Sequence, residues 1–460
     1  MAAVRRLVWI VRWTLLGAAS GVLAGLACSA FFSGLTWATD TRIDHGWLLW
    51  LLPVAGLAIG SAYHFFGGRA ALGSGLLIDE IHQPTDWVPR RMAPMIAIGT
   101  VVSHLFGASV GREGSALQMS GSLSDWLSRV LHLEGRDRRT LLIVALSAGF
   151  AGMFGVPLAG AIFGLEVQAV RPSRREMLRR TRQVARTRSF GPVQAPAEPI
   201  ADLRARVSDS LGRWRGLAAT ALPAAVGAFV SDRLVRVVGH HSESANSVHV
   251  ALPGSIWPRL VLAGVAFGLM SIAFVESTDL VHRWMARYVA RPPLRPVVGA
   301  FIVLAGVAVV GRNYLGLSLP LVEHALVGQD STWTVPMLKL AFTAVCLGSG
   351  FVGGEVTPLF IIGATLGAAV SGPLGIDPLL GAAVGYVSVF AAAANTPIAC
   401  AVMAVEVFGW GVAGPAVLVC VVAWSAGSHR GIYPTQRVRT TDGFIRRSDL
   451  PSRFGPAGGH

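Results

Sequence analysis

The 460-residue sequence predicts an all-α polytopic membrane protein, built as two inverted-topology repeats with broken and re-entrant helices. Three observations carry that prediction. Hydrophobic residues make up 53% of the chain and charged residues 14%, against roughly 25% charged in an average soluble domain. The apolar residues gather in repeated runs of about 20, the length a bilayer requires. Arg-rich loops alternate with Arg-free loops, and two stretches of the first half recur in the second at nearly one offset.

Mean hydropathy of +0.56 excludes a disordered chain and argues against an ordinary soluble enzyme. A net charge of +14 raises nucleic acid as a partner, but the placement of the charge argues against it. Residues 171–215 hold twelve Arg and four acids. Further Arg stands at 5, 6 and 12, at 283, 287, 291 and 295, and in the tail after Ser428. Basic residues beside apolar spans mark the cytoplasmic side, so the expected partner is the lipid bilayer.

Arg5 and Arg6 precede an apolar run that starts at Leu7 and passes Gly25, with Arg12 inside it. That exceeds the roughly 7–15 apolar residues of a signal peptide, so 7–35 reads as the first span. Segment 37–46 is polar and is placed outside. Residues 47–66 return to Arg69, Arg90 and Arg91, and 92–168 form a dense block of short apolar segments broken by Gly-rich turns. Residues 216–238 go out, 257–280 return to the basic loop 281–295, and 296–312 go out to 313–334, which lacks Lys and Arg. More spans follow to Gly427. This threading gives a multi-pass protein of the inner membrane with both termini cytoplasmic. A transmembrane domain fills 1–427, with repeats at about 7–238 and 257–427, and a basic tail fills 428–460. Cys28, Cys346, Cys400 and Cys420 lie in apolar runs without CxxC spacing, and read as packing residues. No metal or cofactor is expected.

The repeat shows at two places. Residues 151–167 align with 391–407, matching Ala151/Ala391, Pro157/Pro397, Glu166/Glu406 and Val167/Val407. Gly111, Glu113, Ser115, Leu117 and Gly121 match Gly353, Glu355, Thr357, Leu359 and Gly363. The first half begins inside and the second outside, so the halves are inverted. Inverted repeats with interrupted helices bring half-helix ends to mid-membrane. Three Gly-rich turns here precede helices: Gly73-Ser74-Gly75, Gly111-Arg112-Glu113-Gly114 and Gly353-Gly354-Glu355-Val356-Thr357-Pro358. Their backbone N–H groups and helix dipoles favour an anion.

Glu113 stands at a predicted helix start inside the membrane block. There it is either a capping carboxylate or a titratable gate that competes with an anion for the same positive end. An ionised group at that depth costs roughly 3 kcal/mol or more. Glu355, its repeat partner, reads as a cap. Glu166 and Glu406, near segment ends, read as structural. Tyr433 is placed either as an interface anchor or as an inward hydroxyl donor. His82 follows Glu80, but no HExxH pattern supports a zinc peptidase.

The ordered set Gly73-Ser74-Gly75, Gly111-Arg112-Glu113-Gly114 with Gln118, and Gly353 to Pro358 with a downstream Tyr433 resembles the CLC family of chloride channels and anion/proton antiporters. The resemblance spans roughly 7–435. It implies a homodimer with one pathway per subunit, carrying halide anions and protons. It implies Glu113 as the gating and proton-coupling residue. Ser74, Tyr433, Thr357 and the backbone of Gly111, Arg112, Gly114, Glu355 and Val356 would form the anion site. No CBS domains are expected after the core. Chloride members usually carry Phe where Val356 stands, and antiporters an inner glutamate where Val167 stands. These features, with Ile78-Asp79-Glu80-Ile81-His82 and Arg91-Met92-Ala93-Pro94, look like the bacterial fluoride-exporting branch, while Ser74 keeps the chloride-type residue. The expected function is transport of chloride or fluoride by proton antiport. A passive channel of the same family is the alternative. An intramembrane enzyme is more distant, because no nucleophile–base pair or metal cluster is visible.

Overall fold

The computed structural model describes residues 2–170, 219–239, 253–328, 331–427, 431–433, 436–440 and 443–446. The Arg-rich segment 171–215 and most of the basic tail lie outside the described residues. Helices α1 to α7 are Ala2–Asp44, Leu52–Phe66, Ser74–His82, Met92–Leu105, Glu113–Val130, Gly135–Phe154 and Pro157–Glu166. Helix α8 covers 219–237. Helices α9 to α16 are Ile256–Tyr288, Arg295–Val310, Leu319–Leu326, Thr334–Ser349, Val356–Leu374, Pro378–Ala394, Pro397–Phe408 and Ala413–Ala426.

Five helical stretches among the described residues are long and apolar enough to cross a membrane: Ala3–Asp44, Gly46–Phe66, Ile256–Tyr288, Pro292–Val310 and Val356–Leu374. Other apolar helices, such as Pro157–Glu166 and Pro397–Phe408, have 10 to 17 residues and fall short of the roughly 20 a full crossing needs. Broken helices are tolerated in a bilayer only where protein satisfies their ends. Helix α1 is longer than the 7–35 span expected from its apolar run. It continues through the polar segment to Asp44, because neither Pro nor Gly interrupts it between Gly34 and Gly46. Its 43 residues reach about 65 Å, about twice the hydrocarbon thickness.

The breaks follow from local chemistry. Helix α6 ends at Gly155, whose φ of 70° is left-handed, and Pro157 opens α7. Helix α14 ends the same way at Asn395, φ 60°, and Pro397 opens α15. A left-handed C-terminal residue followed by Pro at the next first turn gives each repeat the same corner. Helices α7 and α15 then cap each other. Glu166 accepts the amide hydrogens of Ile398 (3.1 Å) and Ala399 (2.8 Å), and Glu406 accepts those of Leu158 (2.9 Å) and Ala159 (2.7 Å).

Helices α13 and α14 lie against each other through glycine. A Cβ at Gly363 or Gly367 would collide with the carbonyl oxygen of Gly385 or Gly381. Small residues permit such approach where no hydrophobic force drives helices together. Nearly all of α13 is buried, which makes it the innermost long helix. A three-stranded sheet closes one end: β1 (Ala169–Val170) pairs in parallel with β2 (Arg437–Thr440), and β2 pairs antiparallel with β3 (Gly443–Arg446). The sheet ties the tail to the end of α7.

Candidate functional site

The two acidic Gly-rich turns meet back to back. Gly111 N–H donates to the Gly354 carbonyl at 2.6 Å, and Gly354 N–H donates to the Gly111 carbonyl at 2.7 Å. Side chains are incompatible with this approach. A Cβ at Gly111 would lie 2.8 Å from the Gly354 oxygen, and one at Gly354 would lie 2.6 Å from the Gly114 nitrogen. The starts of α5 and α13 are thereby held side by side, although 243 residues separate them. Gly111 was expected to donate to an anion. Its amide is instead committed to Gly354.

Glu113, the first residue of α5, is 1% exposed. Its Oε2 accepts from the Thr357 amide at 3.0 Å, from the Thr357 hydroxyl, and from the Arg112 amide at 3.1 Å. The Arg112 Nε lies 3.3 Å from Oε1, and its guanidinium stacks over Phe32 at 4.6 Å. The carboxylate of one repeat therefore fills the N-terminus of the principal buried helix of the other. That is where backbone N–H groups and the helix dipole favour negative charge. A free anion placed there would meet the same donors.

A cavity of about 460 Å³ lies on the other side of the junction, lined by Ser74, Gln118, Glu355 and Tyr433 among others. Gly73, φ 62°, turns the chain so that Ser74 opens α3. Gln118 Nε2 donates to Ser74 Oγ at 3.4 Å, which leaves the serine hydrogen available to the cavity. Tyr433 is 2% exposed and its hydroxyl has no hydrogen-bond partner among the described residues. A buried, unpaired donor costs about 1–3 kcal/mol unless a ligand or water meets it. Tyr433 is thus a buried residue rather than an interface anchor. Ile432 N–H holds its segment to the Ala393 carbonyl at 3.1 Å. Gln436, fully buried, donates to the carbonyls of Val167 (2.8 Å) and Ala394 (2.7 Å). The Glu355 side chain faces the cavity, whereas sequence analysis assigned it a capping role. Val356 is fully buried, with its side chain in the apolar core.

The structure therefore gathers the expected residues into two groups. Arg112, Glu113 and Thr357 form one, and Ser74, Glu355 and Tyr433 the other, with the Gly111–Gly354 bridge between their loops. Lys339 was not singled out. It is the chain's single lysine and is fully buried in α12. Its ammonium donates to Ser109 Oγ (2.9 Å), Ser318 Oγ (3.0 Å) and the carbonyls of Gly316 (2.8 Å) and Tyr314 (3.3 Å). A lone Lys within the apolar run 334–349 was the available signal. Glu80 pairs with Arg69 at 2.5 Å and Arg138 at 3.3 Å, and His82 hydrogen-bonds to the Gln168 carbonyl. Both hold the end of α3 in place. Among the described residues no group of three or more His, Cys, Asp or Glu side chains is placed to hold a metal ion.

The family profile described as voltage gated chloride channel matches residues 55–180 and 214–427. A chloride/fluoride channel protein of Pseudomonas syringae pv. tomato is 41% identical over 457 residues, covering 96% of this chain and 91% of that protein. An H+/Cl− exchange transporter of Cronobacter sakazakii is 33% identical over 169 residues, 33% of this chain and 36% of that one. The crystal structure of a CLC-type fluoride/proton antiporter superposes with a TM-score of 0.80 at 29% identity, covering 93% of this chain and 98% of that one.

Proposed function

This chain belongs to the voltage-gated chloride channel family, and we propose that it moves chloride and fluoride across a membrane in exchange for protons, with Glu113 as the gate. One observation carries the reading: the Glu113 carboxylate occupies the donors at the start of α13 that an anion would use. Carboxylate and anion exclude each other there. Protonation of Glu113 discharges the group and frees the site, which links proton binding to anion passage.

The roles follow from position. Arg112 and the Thr357 amide and hydroxyl hold either the carboxylate or the anion. Ser74 and Tyr433 supply hydroxyl donors to an anion in the inner cavity, beside the first turn of α13 at Glu355 and Val356. Fluoride is small and strongly hydrated, so a dry site must surround it with close donors; chloride tolerates fewer and longer contacts. The Thr357 hydroxyl and the similarity to a fluoride/proton antiporter support fluoride, while Ser74 supports chloride. The protein functions as a homodimer in a bacterial inner membrane with both termini cytoplasmic, a reading supported by family membership and loop charge.

The test is efflux of chloride and of fluoride from proteoliposomes with internal pH recorded. Both anions should leave, each with proton uptake. Anion efflux without proton movement favours the passive channel, and no efflux of either ion overturns the reading.

A further inference from the structure

Antiport needs a route by which protons reach the buried carboxylates from the cytoplasmic side. The position that the resemblance assigns to an inner proton-transfer glutamate holds Val167, an apolar residue only 2% exposed. The inner cavity offers other groups. Its titratable lining residues are Glu355 beside α13, Tyr433 of the tail, and Asp279 and His282 of α9; the lining parts of α3, α5 and α12 contribute none. Asp279 and His282 stand three residues apart, with Val275 and Thr278 on the same helical face. Exposure falls along the row: His282 is exposed, Asp279 half-buried and Tyr433 buried. His282 lies six residues before the end of α9 at Tyr288, beside Arg283, Arg287 and Arg291, so this mouth faces the basic side. Glu355 marks the inner end: its Oε2 lies 3.3 Å from where a Cβ on Gly114 would stand, next in sequence to Glu113.

We infer that His282 and Asp279 form a proton relay along α9 that connects the basic-side solution through the inner cavity to Glu355. The inference rests on the antiport reading of this site. The cavity, about 460 Å³, is large enough for several waters, and Thr278, Ser74 and Gln118 of its lining are polar partners for them. A proton from bulk water binds an imidazole nitrogen of His282, a side chain able both to accept and to donate a proton. It passes through cavity water to the Asp279 carboxylate and then to the Glu355 carboxylate. Each donor returns to its deprotonated form, and only N–H and O–H bonds form and break. The reverse sequence delivers a proton to the solution.

The test uses the full chain in proteoliposomes, with anion and proton fluxes recorded together and normalised to folded protein. The Asp279→Asn/His282→Gln double variant should lower proton-coupled turnover by about tenfold or more, and Asp279→Glu should retain it. A merely structural role for Asp279 does not distinguish the charged, longer Glu from wild type in this way. A double variant that exchanges at the wild-type rate, or an Asp279→Glu variant as slow as Asp279→Asn, overturns the relay. If the Asp279 variants do not fold, His282→Gln alone decides, with slowed exchange expected and unchanged exchange overturning the inference. Wild-type protein that moves anions without protons sinks the antiport reading itself, whereas a coupled wild type beside an equally coupled variant sinks only the relay.

Discussion

The carboxylate of Glu113 and the backbone amide of Thr357 are 3.0 Å apart, a hydrogen bond between residues 244 positions distant that joins the two repeats at the start of α13. The same oxygen accepts the Thr357 hydroxyl, so two donors of one residue hold the carboxylate in place.

Glu113→Gln removes the charge and the exchangeable proton while keeping the shape. The amide oxygen still accepts from Thr357, but it no longer competes as an anion for the helix end. Anion flux should persist and lose its dependence on pH, and proton movement should stop. A variant that still takes up protons in step with anion efflux shows that Glu113 is not the coupling group.

On the proposed reading, selectivity rests on the hydroxyls of Thr357 and Ser74. Thr357→Val removes a donor from the gate site, and Ser74→Asn adds an amide donor at the cavity where Gln118 already reaches Ser74. A hydrogen bond to a charged group is worth about 1.5–3 kcal/mol, so each change should shift the fluoride-to-chloride flux ratio by roughly tenfold. Thr357→Val should lower the ratio and Ser74→Asn should raise it. Efflux of the two anions measured side by side decides; a wild type that carries chloride and wholly excludes fluoride removes the basis for both shifts.

Much of this architecture is legible in the sequence because its signals are local. Pro157 and Pro397, each two residues after a left-handed helix end, mark matching corners, and Gly-rich turns before α3, α5 and α13 mark helix starts. The pairing of Gly111 with Gly354 is not legible. Both glycines are visible, but nothing local says that two loops so far apart in sequence share a bridge. Glu355 looked like a cap because it stands at a helix start, yet its side chain faces a cavity made by five other segments. Asp279 and His282 carry no local signal in the sequence, because the cavity they line is made with α3 and the tail segment around Tyr433. The length of α1 was missed because an apolar run sets where a bilayer lies, not where a helix stops.

Glu166 and Glu406 offer a stability prediction. Each caps the other repeat's half-helix through two backbone amides, and a lost cap typically costs about 0.5–2 kcal/mol. Glu166→Ala and Glu406→Ala should each lower the thermal unfolding temperature in detergent while leaving the fluoride-to-chloride ratio unchanged. Both caps clamp the same helix pair, so the double variant should differ from the sum of the singles. Strict additivity refutes the mutual clamp.

Topology is tested with single cysteines. The four native cysteines are all buried, so the background should be silent to an impermeant thiol reagent. In intact cells His45→Cys should label from outside and Arg291→Cys should label only after permeabilisation, because the proposed threading puts the Arg-rich loop on the cytoplasmic side. The opposite pattern inverts the threading.

Lys339 sets the last prediction. Its ammonium satisfies the carbonyls of Tyr314 and Gly316 and the hydroxyls of Ser109 and Ser318, with no carboxylate among these partners. Ser109 begins the run into Gly111, so the lysine ties the loop at 314–318 to the strand of chain that carries the gate. Lys339→Met keeps the length and apolar bulk but strands two buried carbonyls, each worth about 1–3 kcal/mol when left unpaired. The variant should unfold at a clearly lower temperature. Its exchange rate per folded molecule should also fall, because Ser109 keeps only its bonds to Thr343 and Cys346 and the Gly111–Gly354 bridge loses support. Lys339→Arg should not rescue it, since a planar guanidinium neither fits a fully buried site nor reproduces the tripod of an ammonium. Wild-type stability and turnover in Lys339→Met contradict the clamp. Loss of stability with unchanged turnover per folded molecule confines Lys339 to the scaffold and leaves the gate to Arg112 and Thr357.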